Sequence, residues 1–413
     1  MNLLIKKINN LINKLENYRT TQINFIISFF LICFIRNFLE GFLGYSKTIG
    51  TNADIKVTII QMGALFNLEW ITLFLYISLI IYFLTKQNIL SVFKILLVFF
   101  NIIIIVPIID YFFYFPYGCR IDYLYTINDY VRALLCFFVP FTDVKVCAGI
   151  RIEVFFSVIF IFIYIFLKTK DILKSLAGAF VLYFLAVSSM AFPVFILLVF
   201  LPFYLNKFND FVNLFFFTPS FLDSFLNKFS VMIHLLLIPS LLTIYKIYYG
   251  NKKLLFLLKN LFSLNTFIVF SAVFWGFISG YGIHNLFSSV FNIFFIFFLF
   301  IISSFVNLYL QGNFKKETNI LFIFLLIFSL SISLNNFLIM LVLLIIFFIF
   351  IKIKVLIKNN LLNVLIFILL FIVLFVFGYI IIPSGIYINT LNILTAIMFP
   401  IIYCYNKKRH GNH

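Results

Sequence analysis

The chain has 413 residues, of which 64% are apolar, 21% aromatic and only 10% charged, and its mean hydropathy is +1.18. Soluble domains carry about 25% charged residues, so this composition excludes a soluble, disordered or fibrous protein and leaves an integral membrane protein whose helices face lipid or one another. The formal charge of +17 comes from 30 Lys and Arg against 13 Asp and Glu; the basic residues sit in short gaps between apolar runs, where anionic headgroups hold them, and no basic stripe is available for nucleic acid.

At the amino terminus, Leu4, Ile8, Leu11 and Leu15 recur at helical spacing with Lys7 and Lys14 off that stripe. Residues 1–23 are therefore expected to form a cytoplasmic interfacial amphipathic segment on the inner leaflet; a plain basic flank that sets orientation is the alternative. No small-residue cleavage site follows, so the first apolar run reads as a signal anchor.

Allowing roughly 20 apolar residues per crossing, spans are predicted at 24–43, 66–85, 93–112, 153–168, 175–205, 229–248, 266–283, 286–310, 319–334, 337–356, 362–382 and 386–404. The fold class is all-α, a polytopic membrane helix bundle of 12 transmembrane helices. With the amino terminus inside, 21 Lys and Arg fall on the cytoplasmic side and 8 outside, which satisfies the positive-inside rule and makes both termini cytoplasmic. A multi-pass protein of the cell membrane is expected. The span 175–205 contains Pro193 and Pro202 and reads as one broken helix rather than two crossings.

Twelve of the 13 acidic residues lie between Glu16 and Asp223. This shift divides the chain into a six-helix membrane domain at 24–254, with an outer polar loop at 113–152, and a second six-helix domain at 255–413. Phe, Ile, Leu, Asn and Lys run high together, as A/T-rich codons produce, so the 64 phenylalanines are read as coding bias and not as a functional signal.

The candidate ligand-binding residues gather on the outer side of the first domain: Arg36, Glu40, Asp110, Arg120, Asp122, Arg151 and Glu153, with Glu69 nearby. The chain uses 24 Lys to 6 Arg, yet four of the six arginines, Arg36, Arg120, Arg132 and Arg151, fall in this region. That preference points to the planar fork of guanidinium, which pairs with carboxylate or phosphate in a way ammonium does not. Two readings stay open: internal pairing of Arg151 or Arg120 with Asp110, Asp122 or Glu153, or contact with an anionic lipid headgroup or diphosphate. Arg36 and Glu40, four residues apart, can also neutralise each other as a snorkelling anchor.

Cys119, Cys136 and Cys147 share the outer loop and allow one disulfide. His234 and His284 stand alone in apolar surroundings, and His410 and His413 have no companion ligands, so no metal site is expected. Gly44-Tyr45-Ser46-Lys47-Thr48 lacks the glycine a phosphate loop needs before its lysine. No Ser, Cys or Thr has a nearby histidine base, and no catalytic residue is assigned.

From about residue 260 the order of helices and loops resembles the UbiA-type membrane prenyltransferases. The resemblance rests on Asn265-Thr266-Phe267 through Gly280, then Asn307-Leu308-Tyr309-Leu310-Gln311-Gly312-Asn313, Lys315-Lys316-Glu317 and the basic Ile351-Lys352-Ile353-Lys354-Val355. Upstream, Pro107-Ile108-Ile109-Asp110, Arg120-Ile121-Asp122-Tyr123-Leu124-Tyr125 and Gly149-Ile150-Arg151-Ile152-Glu153 look like the amino-terminal membrane half of larger bacterial proteins with a UbiA-like tail. The resemblance implies an isoprenoid or lipid ligand, such as polyprenyl phosphate or diphosphate, and membrane lipids as partners. The family holds Mg²⁺-diphosphate on paired aspartates. Here the matching loop offers Asn307, Asn313 and Glu317, so prenyltransferase activity and a Mg²⁺ cofactor are not expected. A carrier or flippase for lipid-linked or anionic solutes, and a structural or assembly subunit, are the alternatives.

Overall fold

The structure, a computed structural model, describes residues 2–43, 52–115, 124, 126–139, 142, 144–191, 221–281, 290–310, 342–343, 345–347, 349–350, 353, 360–380 and 397–405. Among the described residues every regular element is helical. Among the described residues four helices are long and apolar enough to cross a bilayer: Asn67–Thr85, Ile89–Phe113, Ala148–Thr169 and Ile172–Met190. A fifth span results if Asn251–Leu261 and Leu264–Gly280, bent by 53°, count as one. The expected spans 319–334 and 337–356 lie wholly or largely outside the described residues, as do the last eight residues of the chain.

The chain divides into two compact units, residues 1–221 with 235–248, and residues 222–234 with 249–413. A division after residue 254 falls inside the helix Asn251–Leu261.

The first unit comprises α1 (Asn2–Glu16), α2 (Gln22–Leu43), α3 (Asn52–Thr85), α4 (Ile89–Phe100), a 3-10 turn (Asn101–Ile104), α5 (Val106–Phe113), α6 (Ile127–Cys136), α7 (Ala148–Thr169) and α8 (Ile172–Met190). Two of its turns are built alike. Thr85 and Thr169 return their hydroxyls to the carbonyls of Ile81 and Ile165, at 2.7 and 2.8 Å. Each is followed by a lysine in the left-handed region, Lys86 at φ 56° and Lys170 at φ 58°. A cation at a helix carboxyl end meets the exposed carbonyls and the negative end of the dipole. Asn88 and Asp171 then cap α4 and α8 through Leu90 N and Lys174 N.

The crossing expected at 93–112 lies within one candidate span, Ile89–Phe113, which contains an irregular turn. Asn101 Nδ2 donates to the carbonyls of Leu97 and Val98 at 3.1 and 3.0 Å, and Pro107 starts α5, so the backbone tightens to a 3-10 turn where the proline removes a donor. Helix α8 ends at Met190 with Ala191 as its cap, two residues before Pro193; residues preceding proline are driven out of the helical region. The rest of the expected 175–205 span lies outside the described residues.

Helix α1 packs on α4 through a face beside the stripe that is expected to lie on the inner leaflet. Ile12 and Glu16 are buried while Leu11 is 58% exposed. The reason is Glu16: Tyr164 Oη donates to its Oε1 at 2.8 Å and Lys168 Nζ to its Oε2 at 2.7 Å, while Lys94 Nζ reaches its carbonyl at 2.8 Å. Charge pairing at the end of the helix sets its rotation.

On α2 the residues Phe29, Ile32, Cys33 and Arg36 are buried at i, i+3, i+4 and i+7, whereas Phe34, Phe38 and Phe42 are exposed at i, i+4 and i+8. That outward row is the surface a lipid-facing helix presents. Inside, Phe29 lies between Phe74 and Phe100 at 5.1 and 5.2 Å, and Trp70 meets Phe100 edge-on at 5.7 Å. Some of the phenylalanine excess is thus interlocking core.

The second unit contains α9 (Phe221–Tyr249, in part), α10 (Asn251–Leu261), α11 (Leu264–Tyr281), α12 (Val290–Leu310), α13 (Asn360–Ile380) and a helix at 397–405. Helices α11 and α13 make its most extensive contact. Gly276, Gly280 and Gly378 allow it: a Cβ on Gly276 would stand 2.0 Å from the Phe375 carbonyl oxygen, and one on Gly378 would stand 1.9 Å from that of Val273. Lipid supplies no hydrophobic drive between helices, so close backbone approach through small residues carries the packing. Gly378→Val is expected to lower the thermal denaturation midpoint of the detergent-solubilised protein strongly, whereas Val→Ala at the exposed Val364 leaves it unchanged within error.

Candidate functional site

The outer loop is a packed cap. Its helix α6 starts with the Thr126 hydroxyl accepting from Asp129 N at 3.1 Å. The Thr126 hydroxyl, with Lys145 beside it, also holds the Asp129 carboxyl below its ordinary range. This contribution is present above the unfolded carboxyl range and is lost as pH falls through the folded one. Tyr183 Oη donates to the Leu134 carbonyl at 2.6 Å, Tyr130 and Ser188 hydroxyls meet at 3.1 Å, and Leu124 N donates to the Met190 carbonyl at 2.8 Å. Leu124, Ala133, Phe137, Val144 and Cys147 then form a core with Ile150 and Val187. Cys147 is disulfide-bonded, while Cys33, Cys136 and Cys404 are outside any disulfide. Cys119 lies outside the described residues.

Arg36 is the centre of the polar group. Its side chain is 0% exposed. Nη1 pairs with Glu40 Oε2 one turn away, the Trp70 ring lies over the guanidinium at 5.2 Å, and the neighbouring Asn37 amide donates to Asn67 Oδ1 at 3.1 Å. Helix periodicity places Arg36 inside, because it continues the buried stripe of Phe29, Ile32 and Cys33. Burying an ion this way is tolerable only with a close counter-ion and an aromatic face.

Asp110 has a structural task. It is 2% exposed, and its Oδ1 accepts from Gly149 N at 2.6 Å. Helix α7 has no side-chain cap of its own, so a carboxylate from α5 satisfies an amide of its first turn and meets the positive end of its dipole. Position 149 must be glycine: a Cβ there would lie 2.7 Å from the Val106 carbonyl oxygen and 2.8 Å from Asp110 Oδ2.

One turn into α7, Glu153 is 8% exposed and within electrostatic reach of Arg36, Asp110 and Glu40. Its Oε2 is buried without a hydrogen-bond partner among the described residues, as are Trp70 Nε1 and Arg36 Nε and Nη2. Glu153 and Trp70 both line a cavity of about 60 Å³, walled otherwise by apolar groups including Phe74, Phe99 and Ile103, with Ser157 as a further polar group. A space of that size takes a few waters or the first carbons of a chain.

The structure therefore brings together four of the seven expected residues, Arg36, Glu40, Asp110 and Glu153. Arg151 is elsewhere. Its Nε donates to the Phe137 carbonyl at 2.6 Å and its Nη2 to that of Val139. The planar fork is used, but on main-chain carbonyls at the carboxyl end of the α6 segment and not on Asp110 or Glu153. Arg120 and Asp122 lie outside the described residues. Sequence reasoning missed Trp70 and the Glu16 group; a tryptophan directly after the charged Glu69 inside an apolar run was the available signal.

In the second unit Asn307 is buried. Its Nδ2 donates to Ser263 Oγ and Thr266 Oγ1 at 3.2 and 3.0 Å, and its Oδ1 accepts from Tyr403 Oη at 2.9 Å. The amide ties three segments together. Among the described residues no three His, Cys, Asp or Glu side chains converge as a metal set; Asn313 and Glu317 lie outside the described residues. Comparison with protein-family models, with curated proteins and with solved structures finds no match for this chain.

Asp110→Ala is expected to destabilise the protein by about 1–2 kcal/mol through loss of the cap, with Asp110→Asn retaining most of it. Arg151→Lys should cost about 1 kcal/mol, since an ammonium cannot span two fixed carbonyls as the fork does; thermal denaturation in detergent reads both. Maleimide labelling of the denatured protein should modify three cysteines before reduction and all five after it, and labelling of five without reductant would remove the disulfide.

Proposed function

We propose that this integral membrane protein binds a single amphiphilic lipid in its first unit, chain against the apolar cavity walls and head at the polar end marked by Trp70 and Glu153. The observation that carries the reading is the junction of an apolar cavity with buried polar atoms that have no partner among the described residues. Ionisable groups inside a membrane bundle are expensive to keep and mark functional sites. Small-molecule sites elsewhere share this plan of apolar walls and a few convergent polar groups.

The cavity admits only the head-proximal carbons, and the remainder of the chain runs along the helices toward lipid. An isoprenoid chain is what the UbiA-type resemblance implies, and the Phe- and Ile-rich walls suit it. No catalysis is proposed. The carboxyls near Arg36 outnumber it, which disfavours a wide path for free anions and favours a site for one defined head group.

Native mass spectrometry of the detergent-purified protein is expected to show one lipid adduct of defined mass. Ala186→Leu places a larger side chain at the cavity wall and is expected to abolish the adduct without lowering the denaturation midpoint. Absence of any adduct on the wild-type protein, before and after incubation with total membrane lipid, would overturn the reading.

A further inference from the structure

Helix α6 carries apolar side chains over more of its circumference than the bundle uses, and three arcs divide it. On the first, Tyr130, Ala133, Leu134 and the capping Phe137 pack into the core with Ile150 of α7 and Val187 of α8. On the second, Asn128 and Arg132 are exposed, and Asp129 pairs with Lys145 at 3.1 Å. On the third, Ile127, Val131 and Leu135, at i, i+4 and i+8, are exposed, Leu135 to 74%, and Phe138 just past the helix end is exposed with them. At 3.6 residues per turn those positions fall within an arc of about 80°. A helix resting in water would carry polar side chains on every face the bundle leaves open. Helix α6 carries them on one.

The start of α7 fixes the level of the apolar row. Asp110 Oδ1 accepts from Gly149 N at 2.6 Å, so the end of α5 stands beside that turn. Arg151 holds the carbonyls of Phe137 and Val139, so the end of α6 stands there too. Just beyond Asp110, the side chains from Phe112 to Phe115 are exposed in succession, and aromatic residues gather where headgroups meet acyl chains. From the same level Phe155, Ile159 and Ile163 of α7 are exposed at i, i+4 and i+8, along a helix long enough to cross the bilayer; this is its lipid-facing row. The Phe138 ring meets Phe155 edge-on at 5.8 Å. The row of α6 therefore runs into that of α7 without a polar break.

We propose that α6 is a monotopic helix lying in the plane of the outer leaflet, with Ile127, Val131 and Leu135 among the acyl chains just below the headgroups and its polar arc in water. The occupant of the exposed face is phospholipid and not another protein, because the face continues a surface that already meets lipid. Interfacial helices of this kind sink about 5–10 Å below the headgroup boundary, which suits one held by a bundle on one side and bounded by water on another. Arg132 lies between the apolar row and the rest of the polar arc, at the depth of the lipid phosphates, which a guanidinium meets with several N–H groups. None of these α6 residues lines the cavity beside Trp70, so the two lipid contacts are separate. The loop that reads as polar in sequence is thus partly a membrane surface.

The test uses the full-length protein in phosphatidylcholine nanodiscs, in which both faces meet the buffer. One variant, Leu135→Trp, places a fluorophore on the apolar row, and a second, Asn128→Trp, places one on the polar arc. The emission of the parent protein, which comes from Trp70 and Trp275, is subtracted from each. Quenching is then measured with phosphatidylcholine brominated on its acyl chains and, separately, with iodide in the buffer. Leu135→Trp is expected to emit further to the blue and to lose most of its added fluorescence to the brominated lipid and little to iodide; Asn128→Trp is expected to do the reverse. If Leu135→Trp does not fold, Val131→Trp carries the same expectation. Quenching of the row position by iodide and not by brominated lipid would put α6 in water and overturn the proposal. Protection from both quenchers would overturn it as well, by showing that a second copy or another protein covers the face.

Discussion

A guanidinium with no exposure must have its charge answered from within, and the first unit is arranged around that demand. Arg36 sits on the inward stripe of α2, so the helix cannot rotate it toward lipid or water without exposing Phe29, Ile32 and Cys33 in its place. Glu40 and Trp70 are the consequence: a counter-ion one turn away and an aromatic face above. A hydrophobic residue at position 36 would pack with less strain, and breaking the pair by removing one partner would cost on the order of 3–5 kcal/mol.

Elsewhere the polar residues follow the bilayer rule that backbone and side-chain groups be satisfied locally. Thr72, Ser78, Thr85, Thr169, Ser175 and Ser303 return their hydroxyls to carbonyls four residues back. Asn307, with more groups to satisfy than one turn can supply, is answered by Ser263, Thr266 and Tyr403. Against these the atoms left over at Arg36, Trp70 and Glu153 stand out, those of Trp70 and Glu153 on residues that line an apolar cavity.

The two faces of the first unit use charge differently. At the end where lysines follow Thr85 and Thr169, Glu16 with Lys168 and Tyr164 fixes how α1 lies on the bundle. At the other end, arginine and carboxyls are divided among separate tasks: Asp110 caps α7, Arg151 closes the carboxyl end of the α6 segment, Arg36 pairs with Glu40 on α2, and Glu153 lines the cavity. These tasks were indistinguishable as a list of residues, since each was simply a charge near the end of an apolar run.

Composition alone determined that the chain is helical and membrane-embedded, because 10% charge cannot cover a soluble surface, and apolar run length located the helices of the first unit to within a few residues at most of their ends. The same periodicity singled out Arg36 and Glu40 as partners, an interaction local to one helix. What depends on distant segments was beyond it. The start of α7 at Ala148, where Asp110 answers an amide of its first turn, the rotation of α1 by Glu16, and the diversion of Arg151 to main-chain carbonyls are all decided by residues outside the helix concerned. Hydrophobicity records only which residues leave water. Which of the buried polar groups meet, and which are left without a partner, is a property of tertiary packing.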